Sequence, residues 1–177
     1  MLKLSLKNKR NGNYHAVIET PKDSRNKYAF DNKSGLFRLK RTLPEGMVFP
    51  FDFGFIPQTI AEDEDPLDIL LLMDETGYPG CFVEVKLIGV IEALQTEDGK
   101  TIRNDRLMGV ACTSVSYKDT HGVKDLNKEV IRQTEMFFKN YNKLDGKKFK
   151  LLGCKGPQKA LKLLEKAHLS FNKRKRH

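Results

Sequence analysis

Long hydrophobic runs are missing from this chain of 177 residues, although 39% of its residues are hydrophobic. No apolar stretch approaches the roughly 20 residues that a membrane-spanning helix needs. The N-terminal segment 1–7 alternates leucine with lysine and serine and has no apolar centre of the kind found in signal peptides. We therefore expect a cytoplasmic protein that does not associate with a membrane.

Cysteine and tryptophan are also scarce, with three residues of the first and none of the second. Cys81, Cys112 and Cys154 are odd in number and far apart, so they match neither a disulfide framework nor a paired metal motif. The four histidines show no ligand spacing. A glycine-rich phosphate loop ending in Lys-Ser or Lys-Thr is absent too, which argues against a nucleoside triphosphatase of the P-loop type.

Positive charge is plentiful, since the formal net charge is +9. Residues 172–177 carry four of these charges, and we expect them to form a disordered basic tail after a single domain, residues 1–171. A basic balance favours anionic partners, which at this point include both nucleic acid and small phosphate compounds.

The hydrophobic pattern predicts many short strands followed by two helices. Strands are predicted at 15–20, 27–31, 36–43, 68–73, 82–94 and 106–113, with a hairpin turn at 97–100. A helical period then covers 126–144, a strand follows at 148–152, and Pro157 begins a helix that we expect to end near Leu169. The order predicts an α+β, mostly β protein, a small β-barrel with two packed C-terminal helices.

A dense run of carboxylates lies between Glu62 and Asp68. In an extended segment Asp63 and Asp65 would face the same way, with their Cα atoms roughly 6.5 to 7 Å apart. Pro66 would bend the chain and return Asp68 towards them. Oxygen ligands of this kind favour Mg²⁺, Mn²⁺ or Ca²⁺, and the alternative is a solvated acidic loop.

The segments Asp63–Asp68 and Met47–Pro57 together resemble those of the barrel-type soluble inorganic pyrophosphatases, family I. Shorter matches support the resemblance over about residues 14 to 165; they are 17–19, 26–28, Arg41, 88–90, 137–138 and Tyr141. The resemblance implies a closed five-stranded, OB-like barrel and hydrolysis of inorganic pyrophosphate to two phosphates. It also implies a homo-oligomer that uses Mg²⁺, with Mn²⁺ as a possible substitute.

The resemblance also assigns roles to individual residues. Metal binding falls to Asp63, Asp65 and Asp68, with Glu19 holding a metal that accompanies the substrate. Asp65 would further help to deprotonate the attacking water. Phosphate oxygens would be bound by Lys27, Arg41, Tyr141 and Arg106, the last in a place where the family has a lysine.

Several positions depart from the family pattern. Ala29, Phe49, Phe53 and Asn142 replace polar residues near the expected site. Two further metal-binding aspartates of the family correspond nominally to Gln95 and Asn104, which are neutral. Either Asp98 or Asp105 compensates, or the site holds fewer metal ions.

Two other functions stay open at this point. The altered pocket could accept another small phosphoanhydride, or the barrel could be a catalytically weak scaffold that binds nucleic acid through its basic residues. Because the carboxylates of the acidic run would repel a polyanion, we do not expect nucleic acid to be a partner.

Overall fold

The computed structural model describes residues 4–175, which form a strand-rich body with two helices. The strands are β1 (Tyr14–Thr20), β2 (Asn26–Asp31), β3 (Leu36–Thr42), β4 (Asp52–Phe55), β5 (Asp68–Leu72), β6 (Phe82–Glu97), β7 (Lys100–Arg103), β8 (Arg106–Ala111) and β9 (Lys148–Lys155). The helices are α1 (Lys128–Lys143) and α2 (Pro157–Lys175), and a short 3-10 helix covers Val123–Asp125.

Five strands close into a ring, which confirms the predicted barrel. β1 pairs with β4, β4 with β5, β8 with β6 and β6 back with β1, all antiparallel. β5 and β8 are parallel neighbours, with Ile69 opposite Leu107. A ring of this kind leaves no free edge along the paired stretches of its strands.

β6 is long enough to serve two parts of the molecule. Its first half belongs to the ring, whereas its second half pairs with β7 on one side and β9 on the other. Gln95, near its end, lies opposite Ile102 of β7 and Phe149 of β9. The hairpin of β2 and β3 forms a separate two-stranded sheet.

The core divides into two clusters that follow the alternation of side chains along β5. Ile69 and Leu71 face a cluster that includes Leu164 of α2, while Leu70 and Leu72 face a second cluster that includes Phe138 of α1. Successive residues of a strand point to opposite faces, so β5 is buried on both of them. Each helix therefore covers one side of the sheet around β5.

Helix α1 begins where the sequence predicts, within two residues, because the Asn127 side chain accepts a hydrogen bond from the backbone N–H of Glu129 at 2.9 Å. Helix α2 differs from the prediction, since it runs to Lys175 rather than ending near Leu169. Residues 172–175 of the tail thus continue a helix instead of being disordered, and residues 176–177 lie outside the described part. Between residues 4 and 175, no helix is both long enough and apolar enough to span a bilayer.

Candidate active site

Eight of the predicted site residues line a single cleft of about 1430 Å³. They come from five strands, from the segment before β5 and from α1. The residues are Glu19, Lys27, Arg41, Asp63, Asp65, Asp68, Arg106 and Tyr141. Acidic and basic side chains from distant parts of the sequence therefore share one space.

The parallel pairing of β5 with β8 brings one acid and one base together. Asp68 and Arg106 are the first residues of these strands, and their successors Ile69 and Leu107 are register partners. The Asp68 Oδ2 atom lies 3.7 Å from the Arg106 Nε atom. Burial raises the pKa of Asp68 to about 7, while the positive charges of Arg106 and Lys27 act in the opposite direction.

The loop before β5 holds the other two aspartates of the acidic run. Glu64 adopts a positive φ of 68°, and the backbone N–H of Asp65 donates to the Asp63 carboxylate at 3.3 Å. Burial raises the pKa of Asp63, and the nearby charge of Asp65 raises it further. Within residues 4–175, neither aspartate has a cationic side chain within ion-pair distance.

Lys27 is buried at a bulge of β2. Its Nζ atom lies 3.3 Å from the Glu19 carboxylate and 4.1 Å from the centre of the Phe53 ring. Burial lowers the pKa of Lys27, whereas Glu19 and then Asp68 raise it. The other oxygen of Glu19 accepts a hydrogen bond from the backbone N–H of Phe30 at 2.8 Å.

Arg106 is 4% exposed and packs against two neighbouring aromatic rings. Its guanidinium carbon is 4.2 Å from the centre of the Phe138 ring and 5.3 Å from that of Phe149. The Nη1 atom donates to the Asn104 carbonyl at 3.0 Å. Its buried Nε atom makes no hydrogen bond within the described residues. The side chain thus keeps one donor available.

Arg41 stacks on Tyr141, with its guanidinium carbon 4.2 Å from the ring centre. It also forms an ion pair with Asp145 and donates to the Tyr141 carbonyl at 3.4 Å. Burial raises the pKa of Tyr141, and the charge of Arg41 opposes that shift. A phosphate at Arg41 would therefore compete with Asp145.

The two neutral residues Gln95 and Asn104 form a pair in the cleft lining, with Asn104 Nδ2 donating to Gln95 Oε1 at 2.9 Å. The two aspartates that the sequence offered as replacements lie elsewhere. Asp105 accepts from the backbone N–H of Ala93 at 2.9 Å and pairs with Arg103 at 2.7 Å. Asp98 is exposed in the β6–β7 turn, and neither aspartate lines the cleft.

The donor chemistry of the acidic loop fits a hard divalent cation. The only ligand atoms that Asp63, Asp65 and Asp68 offer are oxygens. Burial and the neighbouring negative charges raise the pKa values of Asp63 and Asp68, and a bound cation would favour the ionised form of both carboxyl groups. Across residues 4–175 no three carboxylate, imidazole or thiol groups already converge on one point. Side-chain rotation in the loop would accompany binding.

Sequence reasoning missed several residues that line the cleft, among them Asp145 and Arg174. Asp145 lies 104 residues from its partner Arg41, a separation at which no local pattern reports contact. Arg174 lines the cleft from the last turns of α2. The continuing apolar spacing of Leu164, Ala167 and Phe171 could have indicated that the helix extends this far.

Comparisons with known proteins agree with this arrangement. The sequence model described as Pyrophosphatase: Inorganic pyrophosphatase matches residues 16–172. The inorganic pyrophosphatase of Geobacillus stearothermophilus is 33% identical over 162 residues, which cover 90% of this chain and 94% of that protein. A crystal structure of inorganic pyrophosphatase from Thermus thermophilus superposes with a TM-score of 0.87 at 31% identity, covering 96% of this chain and 97% of the other. An inorganic pyrophosphatase structure from Helicobacter pylori gives 0.86 at 28% identity, covering 97% and 99%. The chain therefore belongs to the inorganic pyrophosphatase family.

Proposed function

We propose that this protein hydrolyses inorganic pyrophosphate to two phosphates, with Mg²⁺ as cofactor and Mn²⁺ as a possible substitute. One observation carries the proposal: three aspartates and four phosphate-binding candidates, Lys27, Arg41, Arg106 and Tyr141, line the same cleft. An anionic substrate needs the positive groups, and a hard cation needs the carboxylates. A cleft with only one of the two sets would not support this reaction.

The acidic side of the cleft prepares the nucleophile. When bound, divalent cations lower the pKa of water and neutralise phosphate oxygens. We assign the cation to Asp63, Asp65 and Asp68. Asp65, the most exposed of the three, accepts the proton of the attacking water.

The basic side of the cleft binds the substrate and absorbs the charge that develops during in-line displacement. Lys27 and Arg106 are buried, so their charges act in a poorly screened environment. Arg41 can bind two phosphate oxygens at once through its planar guanidinium group, and Tyr141 offers a hydroxyl donor beside it. Together these side chains orient the two phosphoryl groups relative to the acidic loop.

A second candidate substrate class follows from the size of the cleft. Its volume of about 1430 Å³ exceeds the roughly 300–1,000 Å³ of pockets that hold drug-sized ligands. Pyrophosphate is smaller than such ligands, so tripolyphosphate or a nucleoside triphosphate would also find room. These compounds contain the same phosphoanhydride bond.

The test is phosphate release from pyrophosphate, tripolyphosphate and ATP, each with Mg²⁺, with Mn²⁺ and with EDTA. We expect release from pyrophosphate only with a metal ion, and we expect Asp68→Asn to lower it at least about tenfold because a metal ligand is lost. The matched control is Asp119→Asn, because Asp119 is exposed and lies outside the cleft. This variant should keep the parental rate.

Three outcomes would contradict the proposal. Undiminished turnover in Asp68→Asn would remove that residue from the metal site. Faster release from tripolyphosphate or ATP would make a longer phosphoanhydride the substrate. No hydrolysis with any metal ion, together with retention on a heparin column, would favour the nucleic-acid-binding scaffold.

We further infer a cytoplasmic, homo-oligomeric enzyme. The three cysteines are free, as is usual in a reducing compartment. Large apolar side chains, among them Tyr78 at 78% and Phe82 at 57% exposure, are available for contacts between subunits. Analytical ultracentrifugation measures the oligomeric state, and a monomer at micromolar concentration would contradict this assignment.

A further inference from the structure

The wall of the cleft at the end of β6 differs in charge from the acidic loop. We call it the amide wall and define it as Gln95, Asn104 and Arg106. The carboxylates around it are already neutralised by neighbouring cations. The ion pairs are Asp105 with Arg103 at 2.7 Å, Glu92 with Arg103 at 3.0 Å, Glu92 with Lys159 at 3.6 Å, and Glu97 with Lys147 at 2.9 Å. Arg106 of the wall itself forms a longer ion pair with Asp68, at 3.7 Å. The wall thus presents a cation and two neutral amides to the cleft.

Asn104 holds both of its neighbours in place. Its side-chain Nδ2 donates to Gln95 Oε1 at 2.9 Å, and its carbonyl accepts from Arg106 Nη1 at 3.0 Å. The residue itself is pinned because its backbone N–H donates to the Ala93 carbonyl at 3.0 Å. A single fixed residue therefore positions two side chains that face the same cleft.

Each of these two side chains keeps a free donor. Gln95 is 9% exposed, and its Oε1 atom is already an acceptor, so its amide N–H groups are left for the cleft. Arg106 is 4% exposed, and its Nε atom has no hydrogen-bond partner within residues 4–175. Its nearest carboxylate oxygen, on Asp68, is 3.7 Å away, which is beyond hydrogen-bond distance.

We propose that the amide wall is a phosphate subsite that binds one phosphoryl group through Gln95 and Arg106 without a metal ion between them. Asn104 is the positioning residue of this subsite. The inference rests on the proposed function for the identity of the anion, and it places the metal ions of the enzyme at the acidic loop. One phosphoryl group is then bound at the amide wall by protein side chains alone, whereas the metal ions would be held at the acidic loop.

The chemistry of the wall favours an anion over a cation. A divalent ion would have to share the Gln95 carbonyl oxygen with the Asn104 donor, and it would meet the positive charge of Arg106. A phosphate oxygen instead accepts hydrogen bonds from a buried guanidinium group and an amide, both fixed in advance. An unpaired buried donor is costly, so a ligand that satisfies Arg106 Nε also gains that free energy.

The experiment measures the dissociation constant of inorganic phosphate by calorimetry in EDTA, where no metal ion can bridge. We expect the parental protein to bind phosphate and Gln95→Glu to weaken that binding at least tenfold. Glutamate has the shape of glutamine but replaces the free donor with a negative charge. Gln58→Glu is the matched control, since it adds the same charge to the cleft beside the acidic loop and should change the constant less than threefold.

Either of two results overturns the inference. One is a parental protein that does not bind phosphate in EDTA at tens of millimolar. The other is an equal effect of Gln95→Glu and Gln58→Glu, which would mean that only the total charge of the cleft matters. Turnover is measured separately: hydrolysis by a protein that fails this test leaves the proposed function intact. Phosphate binding without hydrolysis would leave the subsite intact and remove the function.

Discussion

At the scale of single residues, Arg41 joins the β2–β3 hairpin to the end of α1. Its guanidinium group stacks on Tyr141 and pairs with Asp145. The side chain is 22% exposed, so water can reach the pair, and in our proposal a phosphate displaces the carboxylate. Arg41 is thereby held at the cleft before substrate binds, without being committed to a buried structural contact.

We predict that Arg41→Ala lowers the turnover number with pyrophosphate at least about tenfold, because a phosphate-binding arginine acts on charge that develops in the transition state. The measurement is steady-state phosphate release at saturating Mg²⁺.

The matched control for this prediction is Arg132→Ala. Arg132 pairs with Glu129 on the exposed face of α1, where its side chain is 60% exposed. Its removal should leave turnover unchanged. Equal rates for the parental protein and Arg41→Ala would show that Arg41 does not contact the reacting phosphate.

Local sequence was enough to find the acidic residues of the cleft but not all of their neighbours. Asp63, Asp65 and Asp68 lie within one short segment, where spacing alone indicates a shared site. Asp145 reaches the cleft through tertiary packing, which leaves no trace in neighbouring residues, whereas the apolar spacing of α2 could have indicated Arg174. Sequence also left open whether Asp105 replaces Gln95 and Asn104 as a metal ligand. Its ion pair with Arg103 depends on the fold of the β7–β8 turn, which the sequence does not show.

At the scale of secondary-structure elements, Asp74 connects the loop after β5 with the loop after β8. Its carboxylate accepts hydrogen bonds from the backbone N–H groups of Val115 and Ser116 at 2.7 and 3.0 Å, and from the Ser114 hydroxyl at 3.0 Å. These bonds, that of Val115 first, lower the pKa of Asp74 to about 2.

We predict that this contact makes stability depend on pH in the acidic range. The pKa of Asp74 is lower in the folded state than the value of about 3.9 in an unfolded chain, so its stabilisation is complete above that value. It is lost as the pH falls towards 2. The difference in unfolding free energy between the parental protein and Asp74→Asn should therefore be smaller at pH 3 than at pH 7, as measured by urea denaturation.

Asp119→Asn serves as the reference for this comparison, since the Asp119 side chain makes no hydrogen bond within the described residues. Its effect on the unfolding free energy should not vary in the same way between the two pH values. A constant difference for Asp74→Asn would mean that these hydrogen bonds do not favour the ionised carboxylate.

Most elements could be predicted from periodicity, and those that were missed are short or end in polar residues. β4 has four residues, including Gly54, and β7 has four with no alternation. Both are strands because longer neighbours offer them backbone partners. The last turn of α2 is basic, and positive side chains interact favourably with the negative end of the helix dipole. A hydrogen bond of 3.0 Å between the Asn172 and His168 side chains also lies in this part of the helix.

At the scale of the whole molecule, ring closure depends on a close approach between β1 and β4. A Cβ atom at Gly54 would lie 2.0 Å from the Val17 carbonyl oxygen and 2.9 Å from its carbon. Both are backbone atoms and cannot rotate away, so the two strands can pair at this distance only if residue 54 has no side chain.

We predict that Gly54→Ala lowers the free energy of unfolding by about 1–3 kcal/mol or more, because the strands must separate to admit the methyl group. Chemical denaturation followed by circular dichroism measures this change.

Gly122→Ala provides the comparison for the barrel variant. The nearest atoms to a Cβ there are 3.9 and 4.0 Å away, and the backbone is extended, so we expect a change within about 0.5 kcal/mol. Similar stabilities for both variants would show that the ring tolerates a wider β1–β4 spacing.

The position of Arg174 has a practical consequence for anyone who purifies this enzyme. Because the final helix carries that arginine to the substrate cleft, an affinity tag placed directly after His177 would be separated by three residues from a side chain that lines the cleft. A polyhistidine tag there would also bring metal-chelating imidazoles towards the cleft in which we propose that metal ions bind. Kinetic work should therefore use protein whose C-terminal tag has been cleaved or was never added.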